Sequence, residues 1–212
     1  DQHTAGAQEK FFAKMPADQV YKRTGIQFMN FNSLFQLDTI KRNGGQALEH
    51  ADKILFIPDA LIFMLTGKAI CEYTVASTSQ MLNPMTGDLD AEILEALGIP
   101  REKFGVMTQE ATGLGAVPVI AVAGHDTGSA VAAVPAKDKE YAYLSCGTWS
   151  LLGIESETAI ITEDSFRENF TNEGGIEGTT RFLKNICGLW LFEQSRKKFK
   201  DAPSSVGELV AL

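Results

Sequence analysis

The sequence predicts an α/β protein, and three stretches support this fold class. Apolar positions over about the first hundred residues recur mostly at helical spacing. A run of small and β-branched residues, VPVIAVAG at 117–124, predicts a strand that is buried on both faces. YAYLSCGTWSLLGIE at 141–155 predicts the two strands of an antiparallel hairpin, joined around Cys146-Gly147. The change from helices to a new sheet indicates two structural units, and the polar AKDKE at 136–140 is the best internal boundary.

The individual elements follow from spacing and from glycine or proline stops. Gly25, Gly67 and Gly98 each end a helical pattern, and Pro135 halts the short helix of small residues that follows the strand at 117–124. A buried run at 54–57 predicts a short strand, and ENFTNEGGIEGTTRFLKNI at 168–186 predicts a turn, a strand and a turn. The predicted helices cover 7–15, 18–24, 33–43, 59–65, 90–98, 127–134 and the amphipathic segment 187–200.

Composition narrows the class of protein. The 212 residues are 44% apolar and 22% charged, which is typical of a globular protein. No apolar run approaches the roughly 20 residues of a membrane-spanning helix, so we expect no membrane partner. A formal net charge of −8 argues against a nucleic-acid partner, and the basic stretch at 196–198 is interpreted as a solvated helix face. Backbone amides and a metal ion must therefore supply most of the contacts to any bound phosphate.

Cysteine usage indicates the compartment. Cys71, Cys146 and Cys187 are far apart, form no CxxC pair and have no matching histidine spacing, so we expect no zinc site. An odd cysteine count without an amino-terminal signal pattern predicts a reducing compartment, hence the cytoplasm. The chain starts at Asp1 rather than at a methionine, and both ends fall inside sequence patterns. We therefore expect it to be a piece of a longer protein.

Asp126 is the first candidate for chemistry, because it stands between the predicted buried strand and the predicted small-residue helix in GHDTGSAVAAVPA. One interpretation is an N-cap that accepts amide hydrogens from the first turn for about 1 kcal/mol. The other places the carboxylate in the crevice outside the carboxyl ends of the strands, where ligands bind in open α/β sheets. Held there by helix amides, the carboxylate would stay ionised and could accept a proton from a substrate hydroxyl.

The turn SCGTWS at 145–150 is the second candidate. Gly147 could let consecutive N–H groups point outward, and Thr148 adds a hydroxyl, so that the turn could hold a phosphate oxygen. The alternative is an ordinary hairpin turn. No GxxxxGK[ST] pattern occurs, and Gly113-Leu114-Gly115 lacks the third glycine and the preceding strand, which argues against P-loop and Rossmann sites.

A cysteine hydrolase is the alternative from another class of enzyme. It would use Cys146 as the nucleophile, His125 as the base, and Asn172 or Asn185 to orient the histidine. The order is wrong for the papain pattern, in which the histidine follows the cysteine. Asn172 and Glu173 otherwise belong to an ordinary loop, and Asn185, just before a predicted helix, would be an N-cap by default.

The motifs taken together resemble the FGGY carbohydrate kinases over nearly the whole chain. The resemblance is carried by TGIQFMNFNSLFQL, FIPDALIFMLTGKAICEYTVASTSQML, GHDTGSAVAAVPA, YAYLSCGTWSLLGIE and NFTNEGGIEGTTRFLKNICGLW. It implies an actin-like (ribonuclease H-like) ATPase fold, with sugar and ATP meeting in a cleft between two domains. Residues 1–136 would be part of the amino-terminal, sugar-binding domain, and residues 137–212 part of the carboxyl-terminal, nucleotide-binding domain.

The resemblance also implies roles for single residues, one by one. The implied roles are Asp126 as catalytic base, His125, Thr127 and Asn185 as sugar contacts, and Gly147, Thr148 and Glu193 as ATP contacts. Relatives of this type can carry a glutamine at the position of Glu193. A one-residue shift to Gln194 would turn the side chain by about 100° on a helix.

The implied reaction transfers the γ-phosphoryl group of ATP, with Mg²⁺, to the C1 hydroxyl of a ketose. The sugar implied is L-rhamnulose, and the alternatives are an FGGY kinase for L-fuculose or xylulose, or a non-catalytic sugar-binding module. The family's phosphate loop would lie before Asp1, and its adenosine segment after Leu212. We therefore expect this chain alone to lack kinase activity.

Overall fold

The computed structural model describes residues 2–108, 120–198, 205 and 207–208. Two 3₁₀ turns cover Gln2–Thr4 and Arg101–Lys103. The α-helices are α1 Ala7–Phe12, α2 Ala17–Thr24, α3 Ser33–Arg42, α4 Gln46–His50, α5 Ile57–Thr66, α6 Tyr73–Ser77, α7 Ala91–Leu97, α8 Asp126–Ala132, α9 Glu163–Arg167 and α10 Leu189–Arg196. The strands are β1 Ile70–Glu72, β2 Leu82–Asn83, β3 Asp88–Leu89, β4 Val106–Thr108, β5 Ala142–Cys146, β6 Trp149–Ser156, β7 Thr171–Gly174 and β8 Thr180–Cys187.

The largest sheet of the described residues is antiparallel, with strand order β5-β6-β8-β7. Cys146 pairs with Ser150 across the first turn, which confirms the hairpin predicted at 141–155. β8 pairs with β6 along all eight of its residues, from Thr180 opposite Ser156 to Cys187 opposite Trp149. Two smaller sheets join β1 to β4 in parallel and β2 to β3 as a hairpin.

Two hydrophobic clusters build the interior around the site. The larger one is formed by the helices before Phe104, with Phe11, Leu34 and Phe35 completely buried. The smaller one joins α8 to the four-stranded sheet and consists of Val131, Tyr143, Leu151 and Leu183. Because Val131 is buried in this cluster, α8 packs against the sheet.

The helices and short strands before Phe104 are called the helical part. Buried hydrogen bonds at Gly25 join this part to the four-stranded sheet. This residue ends α2 with a φ of 63°, in the left-handed region. Its carbonyl accepts from the Asn172 backbone N–H at 2.8 Å and from Asn172 Nδ2 at 3.1 Å. A Cβ atom at position 25 would lie 2.7 Å from Asn172 Nδ2. Glycine is therefore needed both for the helix stop, as predicted, and for the close approach of β7.

Four local predictions differ from the structure. The segment 168–186, predicted as one strand between two turns, holds β7 and most of β8. Of residues 54–57, Ile54 forms an isolated bridge with Phe104, and Ile57 already begins α5, which Gly67 ends as predicted. In the predicted strand at 117–124, Ile120 takes part in a bridge, 121–124 have no regular structure, and 117–119 lie outside the described residues. α10 is a helix, but none of its residues is buried. Within the described ranges, no helix combines the length and the apolar character that a membrane crossing requires.

Candidate active site

A cleft of about 560 Å³ lies between the helical part and the four-stranded sheet. It brings together six of the seven residues singled out from the sequence. They are His125, Asp126, Thr127, Gly147, Thr148 and Asn185. The sequence places these residues in three separate segments, so the fold alone makes them neighbours.

Asp126 is exposed in this cleft, with 92% of its side chain accessible. It is the first residue of α8, and the N-cap position belongs to His125, whose side chain makes no capping bond. Asp126 Oδ1 accepts the N–H of the adjacent Thr127 at 2.8 Å. A capping side chain instead bonds the N–H groups of the second or third helical residue. The capping interpretation is therefore wrong, and the carboxylate faces the cleft.

The backbone before Asp126 is fixed by buried polar groups from the helical part. Glu72, which is 4% exposed, accepts the Gly124 N–H at 3.0 Å through Oε2. The His125 N–H donates to Thr74 Oγ1 at 3.2 Å. Glu72 also caps α6 by accepting the N–H groups of Thr74 and Val75. Sequence analysis did not single out Glu72 or Thr74, because glutamate is not among the residues that usually cap a helix.

His125 contacts a charged pair that comes from the four-stranded sheet. Arg181 on β8 is fully buried, and its Nη2 lies 3.0 Å from His125 Nδ1. Glu173 Oε2 on β7 lies 3.1 Å from the same Arg181 nitrogen and 3.5 Å from His125 Nδ1. Burial lowers the pKa of His125, the Glu173 carboxylate raises it, and the Arg181 guanidinium lowers it further. The net effect favours the neutral imidazole.

Arg181 also binds Thr127 and the backbone of β7. Its Nη1 donates to Thr127 Oγ1 at 2.8 Å, and its Nε donates to the Gly174 carbonyl at 3.0 Å. Thr127 Oγ1 lies 3.0 Å from His125 Nδ1 as well. The Thr127 hydroxyl, predicted to contact sugar, is thus already engaged by its own neighbours. Sequence analysis passed over Arg181, because its role depends on strand pairing between β7 and β8.

The turn predicted to bind ATP uses several of its own backbone N–H and carbonyl groups in hydrogen bonds within the protein. The Gly147 N–H donates to the Trp149 carbonyl at 2.8 Å, so the expectation of consecutive outward N–H groups is wrong at Gly147. The Gly147 and Thr148 carbonyls accept the N–H groups of Leu189 and Trp190, which attaches the start of α10 to the turn. Thr148 lines the cleft, as do Ser145, Cys146 and Trp149 of the same turn.

Asn185 reaches the cleft from a strand, since it lies in β8 opposite Leu151. The N-cap of α10 is Gly188, so the interpretation of Asn185 as an N-cap is wrong. Pairing with β6 overrides the preference of asparagine for caps and turns. Asn185 Nδ2 donates to Gln27 Oε1 at 2.8 Å, and both residues line the cleft. Gln27 follows the α2 stop and was not found from the sequence.

Glu193 is the one predicted site residue that does not line this cleft. Its Oε2 accepts from Arg196 Nη2 at 2.9 Å, within the same helix. An ion pair three residues apart is a common way for a helix to satisfy a surface carboxylate. The described geometry therefore gives Glu193 no contact with the other site residues.

The cysteine hydrolase arrangement is not assembled. Cys146 is exposed at the cleft, but His125 Nδ1 is taken by Arg181. The Asn172 side chain accepts from the Ile160 N–H and donates to the Gly25 carbonyl, away from the histidine. Asn185 is hydrogen-bonded to Gln27. Neither asparagine is in place to orient His125 as a base for the thiol.

Among the described residues, no group of three histidine, cysteine, aspartate or glutamate side chains is arranged to hold a metal ion. We therefore assign none of these residues to Mg²⁺.

Family models match both parts of the chain. The amino-terminal domain model of the FGGY family of carbohydrate kinases matches residues 1–134, and the carboxyl-terminal domain model matches residues 142–211. A rhamnulokinase of Bacteroides thetaiotaomicron is 57% identical over 99% of the chain and 46% of its own length. A rhamnulokinase of Bacillus subtilis is 40% identical over 94% of the chain and 43% of its own length. The chain thus spans less than half the length of these relatives.

Solved structures show the same fold at low sequence identity. The xylulose kinase of Lactobacillus acidophilus superposes with a TM-score of 0.81 at 20% identity, over 96% of this chain and 44% of that one. The gluconate kinase of the same organism gives 0.82 at 19% identity, over 100% of this chain and 45% of that one. At this identity the likeness concerns the fold alone.

Proposed function

The chain belongs to the FGGY family of carbohydrate kinases and has their actin-like ATPase fold, and from this premise we propose that it serves an ATP-dependent ketose kinase. The proposed acceptor is L-rhamnulose and the product L-rhamnulose 1-phosphate. Support for this sugar comes from the two rhamnulokinases described above, at 57% and 40% identity. Because the chain covers less than half of each, activity and substrate are properties proposed for the protein that its gene encodes.

One observation carries the chemical part of the proposal: the exposed carboxylate of Asp126 and the hydroxyl of Thr148 line the same open cleft. A kinase needs an acceptor hydroxyl and a terminal phosphate to meet without water between them. On this proposal Asp126 orients the C1 hydroxyl of the sugar and takes its proton as the phosphoryl group arrives. Thr148 donates its hydroxyl hydrogen to a phosphate oxygen on the opposite side.

The other cleft residues would recognise the sugar. His125 and Asn185 present polar groups beside Asp126, and Gln27 holds the Asn185 amide in place. Thr171 lines the same cleft with a buried hydroxyl that has no hydrogen-bond partner in the described part of the chain. A sugar hydroxyl would satisfy it, since buried polar groups left unpaired are costly. Thr127, engaged by Arg181, would contribute chiefly by shaping this wall.

We also propose that residues 1–136 and 137–212 belong to different domains. The match to the amino-terminal family model ends at residue 134 and the match to the carboxyl-terminal model begins at residue 142, so this boundary lies between them. ATP binding by Gly147 and Glu193, and a requirement for Mg²⁺, remain expectations from the family. When bound, Mg²⁺ would offset charge on the phosphates. The three free cysteines fit the reducing environment of the cytoplasm.

The experiment is a coupled ADP-release assay on the protein as its gene encodes it, with ATP, Mg²⁺ and a panel of sugars. We expect ADP release that depends on L-rhamnulose and is much weaker with L-fuculose or D-xylulose. A preference for either of the latter would reassign the substrate. Sugar binding without ADP release from any sugar would favour a binding module and contradict the kinase. The same assay on the 212-residue chain tests the expectation that this chain alone is inactive.

A further inference from the structure

The buried guanidinium of Arg181 stands on the side of the His125 ring opposite Asp126. Its Nη2 lies 3.0 Å from Nδ1 of the ring, whereas Nε2 of the ring lies 3.6 Å from Asp126 Oδ1. Arg181 is 0% exposed, and three hydrogen bonds to Gly174, Thr127 and His125 fix its plane. The two ring nitrogens of His125 therefore have different and well-defined surroundings.

An arginine side chain only donates hydrogen bonds and stays protonated at any relevant pH. A contact of 3.0 Å between Arg181 Nη2 and His125 Nδ1 can therefore be a hydrogen bond only if Nδ1 carries no proton. A neutral imidazole without a proton on Nδ1 carries it on Nε2. The position of the Arg181 donor thus selects one of the two tautomers.

We propose that Arg181 is a positioning residue that holds His125 as a neutral ring with its proton on Nε2, directed toward the cleft. In that state His125 is a hydrogen-bond donor to a ligand and has no free lone pair with which to take a proton. Asp126 is then left as the proton acceptor of the site. This division of work rests on the proposed kinase function, but the state of the ring does not.

Four charged groups face His125 from the elements packed around it. They are Arg181 on β8, Glu173 on β7, Asp126 on α8 and Glu72 at the end of β1. Glu173 Oε2 is 3.5 Å from Nδ1, is buried, and has no aligned hydrogen-bond donor among the described residues. Without Arg181, this carboxylate would be an unpaired buried charge beside Nδ1. The simplest compensation is a proton on Nδ1, because that creates a donor toward Glu173.

The test is a ¹⁵N–¹H correlation spectrum of the imidazole rings in the 212-residue chain. The chain has three histidines, His3, His50 and His125, and a His125→Gln variant identifies the signal of interest. In the unmodified chain we expect a neutral ring with the proton on Nε2 near neutral pH. A ring that carries a proton on Nδ1 there would overturn the proposal without any variant having to fold.

The Arg181→Met variant supplies the second arm. We expect Nδ1 of His125 to gain a proton, seen as a change of tautomer or as a pKa at least about one unit higher, a tenfold shift in the proton equilibrium. The matched control is Arg101→Met, which removes an arginine that pairs with a different carboxylate, that of Asp88, at 2.9 Å. It should leave the His125 signals unchanged. An unchanged His125 spectrum in folded Arg181→Met would contradict the proposal.

The NMR results on His125 can be distinguished from the result of the kinase assay. If the gene product phosphorylates no sugar while His125 shows the Nε2 proton, the proposed function fails and the positioning role of Arg181 stands. If sugar phosphorylation is found and Nδ1 is protonated, the kinase stands and this inference fails.

Discussion

Replacing Asp59 by asparagine should make the stability of this chain less sensitive to pH. Asp59 is completely buried in the first turn of α5, and both its carboxylate oxygens face the Glu72 N–H at 3.2 and 3.3 Å. Burial raises the pKa of Asp59 from 3.8 to about 6, and the nearby Glu72 carboxylate adds to this rise, while the N–H contact opposes it. An asparagine keeps the shape and one acceptor oxygen but cannot ionise.

The sign follows from proton binding. Since the folded chain holds the Asp59 proton more tightly than the unfolded chain, raising the pH through the interval from 3.8 to about 6 removes stability. The full loss is about 3 kcal/mol, from a shift of about two pKa units at about 1.4 kcal/mol each. Between about pH 4.5 and about pH 7.5 the loss is about 2 kcal/mol, because part of the shift lies below that window.

The assay is urea denaturation of the unmodified chain and of Asp59→Asn across this pH window. Groups shared by the two proteins cancel in the difference, so the variant should gain about 2 kcal/mol over the unmodified chain between the two ends. The control is Asp38→Asn, another fully buried aspartate, which has Lys14 and Arg42 as partners at 2.6 and 2.7 Å. Because it loses charged hydrogen bonds, this control should be destabilised by about 2 kcal/mol near neutral pH.

A constant difference between Asp59→Asn and the unmodified chain over the whole window would refute the reasoning. It would mean that Asp59 has the same pKa in the folded and the unfolded chain, so that burial is not acting on its charge. A difference that shrinks as the pH rises would give the opposite sign and contradict the account equally.

Three further predictions concern the sheet and the cleft. Leu183→Ala leaves a cavity at a fully buried position in the four-residue cluster under α8. It should lower the free energy of unfolding, measured by urea denaturation, by about 3 kcal/mol. A loss well below about 1 kcal/mol would contradict the packing. Cys146→Ser should leave the proposed turnover unchanged. If iodoacetamide inactivates the unmodified protein but not this variant, the hydrolase alternative would be favoured again. Asn185→Ala should raise KM for the sugar about tenfold, since it removes a hydrogen-bonding group worth about 1.4 kcal/mol; an unaltered KM would take Asn185 out of the sugar site.

Much of the local structure could be predicted because it depends on neighbouring residues. Gly25 and Gly98 end α2 and α7 in the left-handed conformation that favours glycine, and the hairpin at 142–156 follows from alternating residues around a turn. Asp126 could be singled out for the same reason, since a carboxylate at the start of a helix of small residues is visible in the sequence.

The supporting groups of the site could not be predicted, because long-range pairing brings them there. Arg181 reaches His125 from 56 positions away, and Glu72 reaches Gly124 from 52 positions away. Nothing local to β8 distinguishes Arg181 from a surface arginine. The residues around Asn185 favour an N-cap, whereas pairing with β6 keeps it in a strand.

The most direct measurement compares sugar binding and turnover in Asp126→Asn, made in the protein as its gene encodes it. The substitution keeps the size of a side chain that is 92% exposed in the cleft and removes its basicity. We expect the dissociation constant for L-rhamnulose, from calorimetry, to stay near that of the unmodified protein while kcat falls by about 10²- to 10⁴-fold. An unchanged kcat, or equal losses of binding and turnover, would contradict the role of this carboxylate as the base.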